Sequence, residues 1–76
     1  MPGKIQNTKE LGVFLRQARK NQKLTQATLS GVMNAGNRLL GEIESGKPTA
    51  QVGRVLEVIQ LLGYELVLVK RGETLG

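Results

Sequence analysis

Hydrophobic positions recur at helical spacing in four stretches of the chain. The first opens at Asn7 or Thr8, where Asn7 and Glu10 are spaced as in a capping box: the Asn7 side chain can accept an orphan N–H while Glu10 reaches back. Leu11, Phe14, Leu15 and Ala18 follow at i, i+3, i+4 and i+7, one apolar stripe on a helix running to about Gln22. Leu24-Thr25-Gln26 interrupts that stripe, and Thr25 is a good N-cap for a short second helix carrying Leu29, Val32 and Met33 inward. Asn34 suits the left-handed conformation that ends a helix, and Gly36 relaxes the entry to the next. The third helix, about Asn37 to Ser45, has Leu40 and Ile43 on one face and stops at Gly46, before Lys47-Pro48. Thr49 caps a fourth over about 50–62, ended by Gly63, with Val52, Val55, Leu56, Ile59 and Leu62 in one arc. Val58 falls at the edge of that arc and Leu61 nearly opposite its centre, so this helix has a second apolar surface to cover. The plainer reading of Leu61 is a lone exposed Leu.

Residues 64–71 change the pattern. They are rich in β-branched residues between Gly63 and Gly72, which predicts a β-strand. Both of its faces are apolar, and a single strand leaves its N–H and C=O groups without partners. Residues 4–6 make a poor partner strand. The economical solution is the same strand from a second copy, antiparallel across a two-fold axis and packed on the fourth helices. The expected homodimer therefore uses Val58, Leu61, Tyr64, Leu66, Val67, Leu68 and Val69; the alternatives are a C-terminal turn of helix, or a strand that pairs with a different protein. The 76 residues read as one mainly α domain: a loose tail over 1–6, a four-helix bundle over 8–63, a dimerisation strand over 64–71 and a second tail over 72–76.

Composition narrows the chemistry. The absence of Cys and His removes disulfides, thiol catalysis, Cys/His metal sites and His-based acid–base chemistry. Ser30, Ser45 and the few carboxylates offer no nucleophile–base arrangement, and the ten Gly include no phosphate-binding fingerprint. The chain reads as a non-enzyme without cofactor or metal. Phe14 and Tyr64 are its only aromatics, so the core is aliphatic and base stacking on single-stranded RNA is poorly served. The apolar runs are too short to span a bilayer and the first residues contain no apolar leader segment, from which we expect a cytoplasmic, nucleoid-associated protein and no membrane partner.

The net charge is +5, and its placement is informative. Residues 1–47 carry eight bases and three acids, whereas 48–76 carry three of each. A basic half beside a neutral half is the footprint of a surface that meets a polyanion, although a solvated surface tuned for solubility also fits.

Two short helices joined by a tight turn, behind a basic first helix, form a helix-turn-helix pattern. Leu24-Thr-Gln-Ala-Thr-Leu-Ser30, Asn34-Ala-Gly36 and Leu40-Gly-Glu-Ile-Glu-Ser-Gly-Lys47 resemble the Cro/C1-type (XRE) helix-turn-helix family over roughly residues 9–62. Within it, Leu11-Gly12, the segment 16–20, Gly46-Lys-Pro-Thr49 and the terminal strand are most similar to HipB-type antitoxins. The resemblance implies a lambda-repressor-like bundle of four helices, five at most, that binds double-stranded DNA as a homodimer on a pseudo-palindromic operator. It further implies a repressor of its own operon that neutralises a HipA-like kinase toxin. The alternatives are a solitary repressor, or a protein-interaction module with weakened DNA binding. Three departures from the family pattern bear on this: Asn34 replaces the turn Gly, Gly36 the hydroxyl residue that caps the recognition helix, and Gly41 a Ser within it.

By position, the third helix enters the major groove. Arg38 suits guanine O6/N7 and Asn37 adenine N6/N7, each worth about 1–3 kcal/mol of discrimination, unless Arg38 meets only phosphate. The resemblance assigns Gln26, beside Thr25, a phosphate contact and the support of a base-reading side chain, and assigns Lys47 a phosphate. Gly36 belongs to the same surface. Glu42 is placed either to accept from cytosine N4 or to repel phosphate. The resemblance also implies a structural ion pair between Arg19 and Glu44.

Overall fold

The computed structural model describes residues 4–73, which fold as α1 (Thr8–Asn21), α2 (Gln26–Val32), α3 (Asn37–Ser45) and α4 (Val52–Leu61). The ends of the two expected tails, 1–3 and 74–76, lie outside the described residues. Asn7 caps α1 as its spacing predicts, its side chain accepting from the Glu10 N–H at 2.8 Å. Glu10 reaches back one residue further than expected, accepting from the Gln6 N–H at 2.8 Å. Thr25 caps α2 through a bond from the Thr28 N–H, and Asn34 adopts the left-handed conformation (φ 55°) in the turn. α3 begins and ends where the sequence places it, and α4 is followed by Gly63 at φ 86°.

The core is aliphatic. Leu15 and Ala18 of α1, Leu29 and Met33 at α2, Leu40 and Ile43 of α3, and Val58, Ile59 and Leu62 at α4 form one buried cluster, with Leu11, Leu24, Leu39, Val55 and Leu56 packed against it. Hydrogen bonds tie the helices at their ends. The Thr8 hydroxyl donates to the Gly46 carbonyl at 2.8 Å, and Gln22 Nε2 to the Leu62 carbonyl at 2.8 Å. Arg54 Nη1 donates to the Met33 carbonyl at 3.2 Å and to Glu57 at 2.9 Å, fastening α4 to the end of α2.

Four details differ from the sequence reading. Val32 faces solvent, because Ser30 takes the inward place beside Leu29 and Met33 on so short a helix. Thr49 does not cap α4; Gln51 is the N-cap residue, its side chain makes no cap bond, and the helix spans Val52–Leu61 rather than 50–62. The buried face of α4 is turned toward Val58, which leaves Val52 exposed and Val58 fully buried in its own protomer's core, where it has no surface to offer a second copy. Residues 64–70 form neither helix nor strand. A strand exists through its ladder, and among the described residues this chain supplies no second strand to pair with it.

Candidate nucleic-acid interface

The helix-turn-helix unit is fixed from behind by a buried ionic network. Arg19 Nε donates to Glu44 Oε2 at 2.7 Å and Arg19 Nη2 to Glu44 Oε1 at 3.1 Å, with both side chains almost entirely removed from solvent. Arg19 Nη1 donates to the Leu24 carbonyl at 2.7 Å, so one guanidinium holds α3 and the entry to α2 together. The bond to Glu44 raises the Arg19 pKa above its ordinary value, against the opposing effect of burial. The ion pair implied by the family resemblance is thus present, and it is bidentate, the strong geometry for such a pair.

Gln26 joins the same network. Its Nε2 donates to Glu44 Oε1 at 3.0 Å, a contact between residues 18 apart that no local spacing signals. The bond orients the half-buried Gln26 side chain at the first turn of α2. Arg54 was also missed in the sequence, although its i, i+3 spacing to Glu57 was visible there. The Thr25 hydroxyl, next to Gln26, is engaged as a cap and bonds the Thr28 hydroxyl at 2.9 Å.

The opposite side of α3 is open. Gly36 is its N-cap residue and supplies no side-chain bond; Asn37 and Arg38 follow, both exposed, with the Arg38 side chain 89% accessible. Glu42, one turn on, accepts from Arg38 Nε at 3.0 Å and from Lys47 Nζ at 3.1 Å, both at Oε2. The bond from Lys47, followed by that from Arg38, lowers the Glu42 carboxyl from its ordinary pKa, because both cations favour the charged form. Thr25, Gln26, Gly36, Asn37, Arg38, Glu42 and Lys47 thus lie along the start of α2, the turn, α3 and the segment just after it. Their donors suit phosphate and base edges, and Glu42 is the acid at their centre.

The residues expected at a dimer contact lie elsewhere. The Tyr64 ring packs edge-on against Phe14 of the same protomer, with centroids 5.0 Å apart and planes at 75°. Leu61, Leu66, Val67, Leu68 and Val69 are exposed, Leu68 at 90%. Tyr64, Leu66 and Leu68 line a groove of about 340 Å³ together with Leu56 and Ile59 of α4.

No model of a known protein family matches the chain. An uncharacterised HTH-type transcriptional regulator of Sinorhizobium fredii, y4mF, is 41% identical over 73 residues, which are 96% of each chain. Among solved structures, a HipB variant in complex with the O2 20mer matches with a TM-score of 0.85 at 17% identity, over 93% of this chain and 99% of that one. The second comparison bears on the fold alone. The first bears on ancestry, since it spans nearly the whole of both chains.

Proposed function

This chain belongs to the HTH-type transcriptional regulators, and from that premise we propose that it is a homodimeric, sequence-reading repressor of the HipB type that silences its own operon. The observation that carries the reading is the exposed Arg38 on the open side of a recognition helix whose inner side is locked by Arg19 and Glu44. A base-reading side chain must be free to reach the groove while its helix cannot shift. Asn37 and Arg38 read bases, and Lys47, the Gln26 amide and the backbone N–H groups near Thr25 and Gly36 hold phosphate. Among the described residues no helix is long and apolar enough to cross a membrane.

The experiment is a fluorescence-anisotropy titration against a duplex from the protein's own promoter and a scrambled control. The wild type is expected to prefer its promoter by at least about 10³-fold. Arg38→Ala should remove about 1–3 kcal/mol of that preference, while leaving the melting temperature nearly unchanged because its side chain lies outside the core. Equal weak binding of the wild type to both duplexes would overturn the reading.

Dimerisation is supported by the exposed 66–69 segment beside α4, whose apolar side chains and free backbone groups are met by an antiparallel copy of themselves. Leu68→Asp should then turn a particle of twice the 8.3 kDa chain mass into a monomer in analytical ultracentrifugation, with helix content preserved. A wild type that sediments as a monomer at tens of micromolar would rule this out. The likeness of the segments 16–20 and 46–49 to HipB-type antitoxins extends the proposal to a HipA-like kinase toxin as protein partner. Calorimetric titration with a kinase of that type encoded beside this chain tests it, and no heat of binding leaves a solitary repressor.

A further inference from the structure

The reading face contains one acid, and that acid is bonded to two of the cations expected to touch DNA. We propose that Glu42 is a specificity-determining positioning residue, which aims the Arg38 guanidinium at a guanine edge and turns phosphate away from Arg38. This rests on the DNA-binding reading given above. The geometry of the bond carries the argument. Arg38 meets Glu42 through Nε at 3.0 Å, the inner nitrogen of the guanidinium. In the planar guanidinium of this 89% accessible side chain that bond leaves the Nη1 and Nη2 groups to serve as a pair, and two parallel N–H donors are what guanine O6 and N7 accept. Without the Nε bond the exposed Arg38 side chain would be free to sample every direction, including those that reach the phosphate backbone. With it, the orientation needed for bidentate reading is formed before DNA arrives, which lowers the ordering cost of binding.

Charge supplies the second half. Lys47 Nζ bonds the same Oε2 at 3.1 Å, so Arg38 and Lys47 share one carboxylate and together with it present a single net positive charge. A phosphate brought to Arg38 meets the Glu42 carboxylate as well and is repelled. A guanine edge is neutral and is not. On its site Arg38 is engaged with guanine, whereas on other sequences it can only turn to phosphate, so the carboxylate lowers non-specific affinity and spares the specific complex. The i, i+4 spacing of Arg38 and Glu42 puts the two side chains on one face of α3, and Gly46 ends the helix so that Lys47 reaches the same carboxylate from the following residue.

Glu42→Gln, which keeps the shape and an acceptor oxygen, provides the test. The probes are a duplex enriched by the wild type from a randomised pool and a scrambled version of it, each titrated over a range of salt. The variant should bind the scrambled duplex about tenfold more tightly. Its log affinity should fall more steeply with log salt, by about 0.9 in slope, as expected for one more phosphate neutralised. Its preference for the enriched duplex should drop about tenfold, and on an Arg38→Ala background the same change should leave preference unaltered. A wild type that enriches no sequence overturns the DNA reading and this inference with it. If the wild type enriches a site but Glu42→Gln keeps both preference and salt slope, the inference alone falls. A loss of preference that persists without Arg38 also overturns it, because Glu42 then does not act through that side chain.

Discussion

Replacing Glu44 by Ala is expected to destabilise the fold by about 3–5 kcal/mol, the usual consequence of removing one member of a buried ion pair. The side chains of Arg19 and Glu44 are 7% and 4% exposed, so the guanidinium left behind stays largely shielded from the solvent that would otherwise replace the carboxylate. The change also leaves Gln26 Nε2 without its acceptor at 3.0 Å. In a domain of this size each kcal/mol moves the melting temperature by about 4–8 °C, so the variant should melt at least about 12 °C lower. Urea unfolding at a fixed protein concentration is the measurement, because self-association would otherwise shift the midpoint. The energy should be specific to an uncompensated charge. Arg19→Met combined with Glu44→Leu removes both partners and should recover most of the loss, since apolar replacement of a whole buried pair is often neutral or stabilising. A single Glu44→Ala that costs less than about 1 kcal/mol would show that the pair is solvated in solution.

The network also explains how much of this protein its sequence disclosed. All four helices were legible, with α3 placed to the residue, because their signals are local: caps at Asn7 and Thr25, a left-handed Asn34, a terminating Gly46, and apolar residues at helical spacing. The errors lie where a local rule met a tertiary choice. Val32 and Ser30 compete for one inward place on a helix of seven residues, and periodicity over two turns cannot decide between them. The face of α4 was misjudged by part of a turn because five apolar residues define an arc whose centre depends on what it packs against; Val58, not Val52, fills the core.

The candidate site divides in the same way. Its membership followed from family resemblance and from position on α3. Its wiring did not, because Gln26 and Glu44 are 18 residues apart, and the choice of Oε2 of Glu42 by both Arg38 and Lys47 is a matter of rotamers. The strand expected over 64–71 belongs to a third category. Its β-branched pattern is plain in the sequence, but residues 64–70 form no strand, since a strand needs a partner backbone and none is supplied among the described residues.

The close approach of α1 to α3 at Gly12 makes a second prediction with a sign opposite to helix propensity. Ala is a better helix former than Gly by about 1 kcal/mol, so Gly12→Ala would ordinarily stabilise α1. A Cβ at residue 12, however, would stand 2.7 Å from the Ile43 carbonyl oxygen and 2.8 Å from the Glu44 carbonyl carbon, and closer still to the Glu44 oxygen. These are backbone atoms in the last turn of α3 and cannot rotate aside, so the two helices must move apart. That displacement pulls on the Arg19–Glu44 bonds and on the Thr8 bond to Gly46, which cross the same interface. We expect Gly12→Ala to cost about 3 kcal/mol, at the upper end of the range for overpacking. Gly53 of α4 is the matched control: a Cβ there meets nothing within 4 Å, and Gly53→Ala should gain about 0.5–1 kcal/mol. Because α3 is also the proposed reading helix, the urea midpoint and the promoter preference of Gly12→Ala should fall together, whereas Gly53→Ala should raise the first and leave the second alone. If Gly12→Ala instead stabilised the protein as Gly53→Ala does, α1 and α3 would not be in backbone contact. The position of the reading helix would then rest on its side-chain bonds alone.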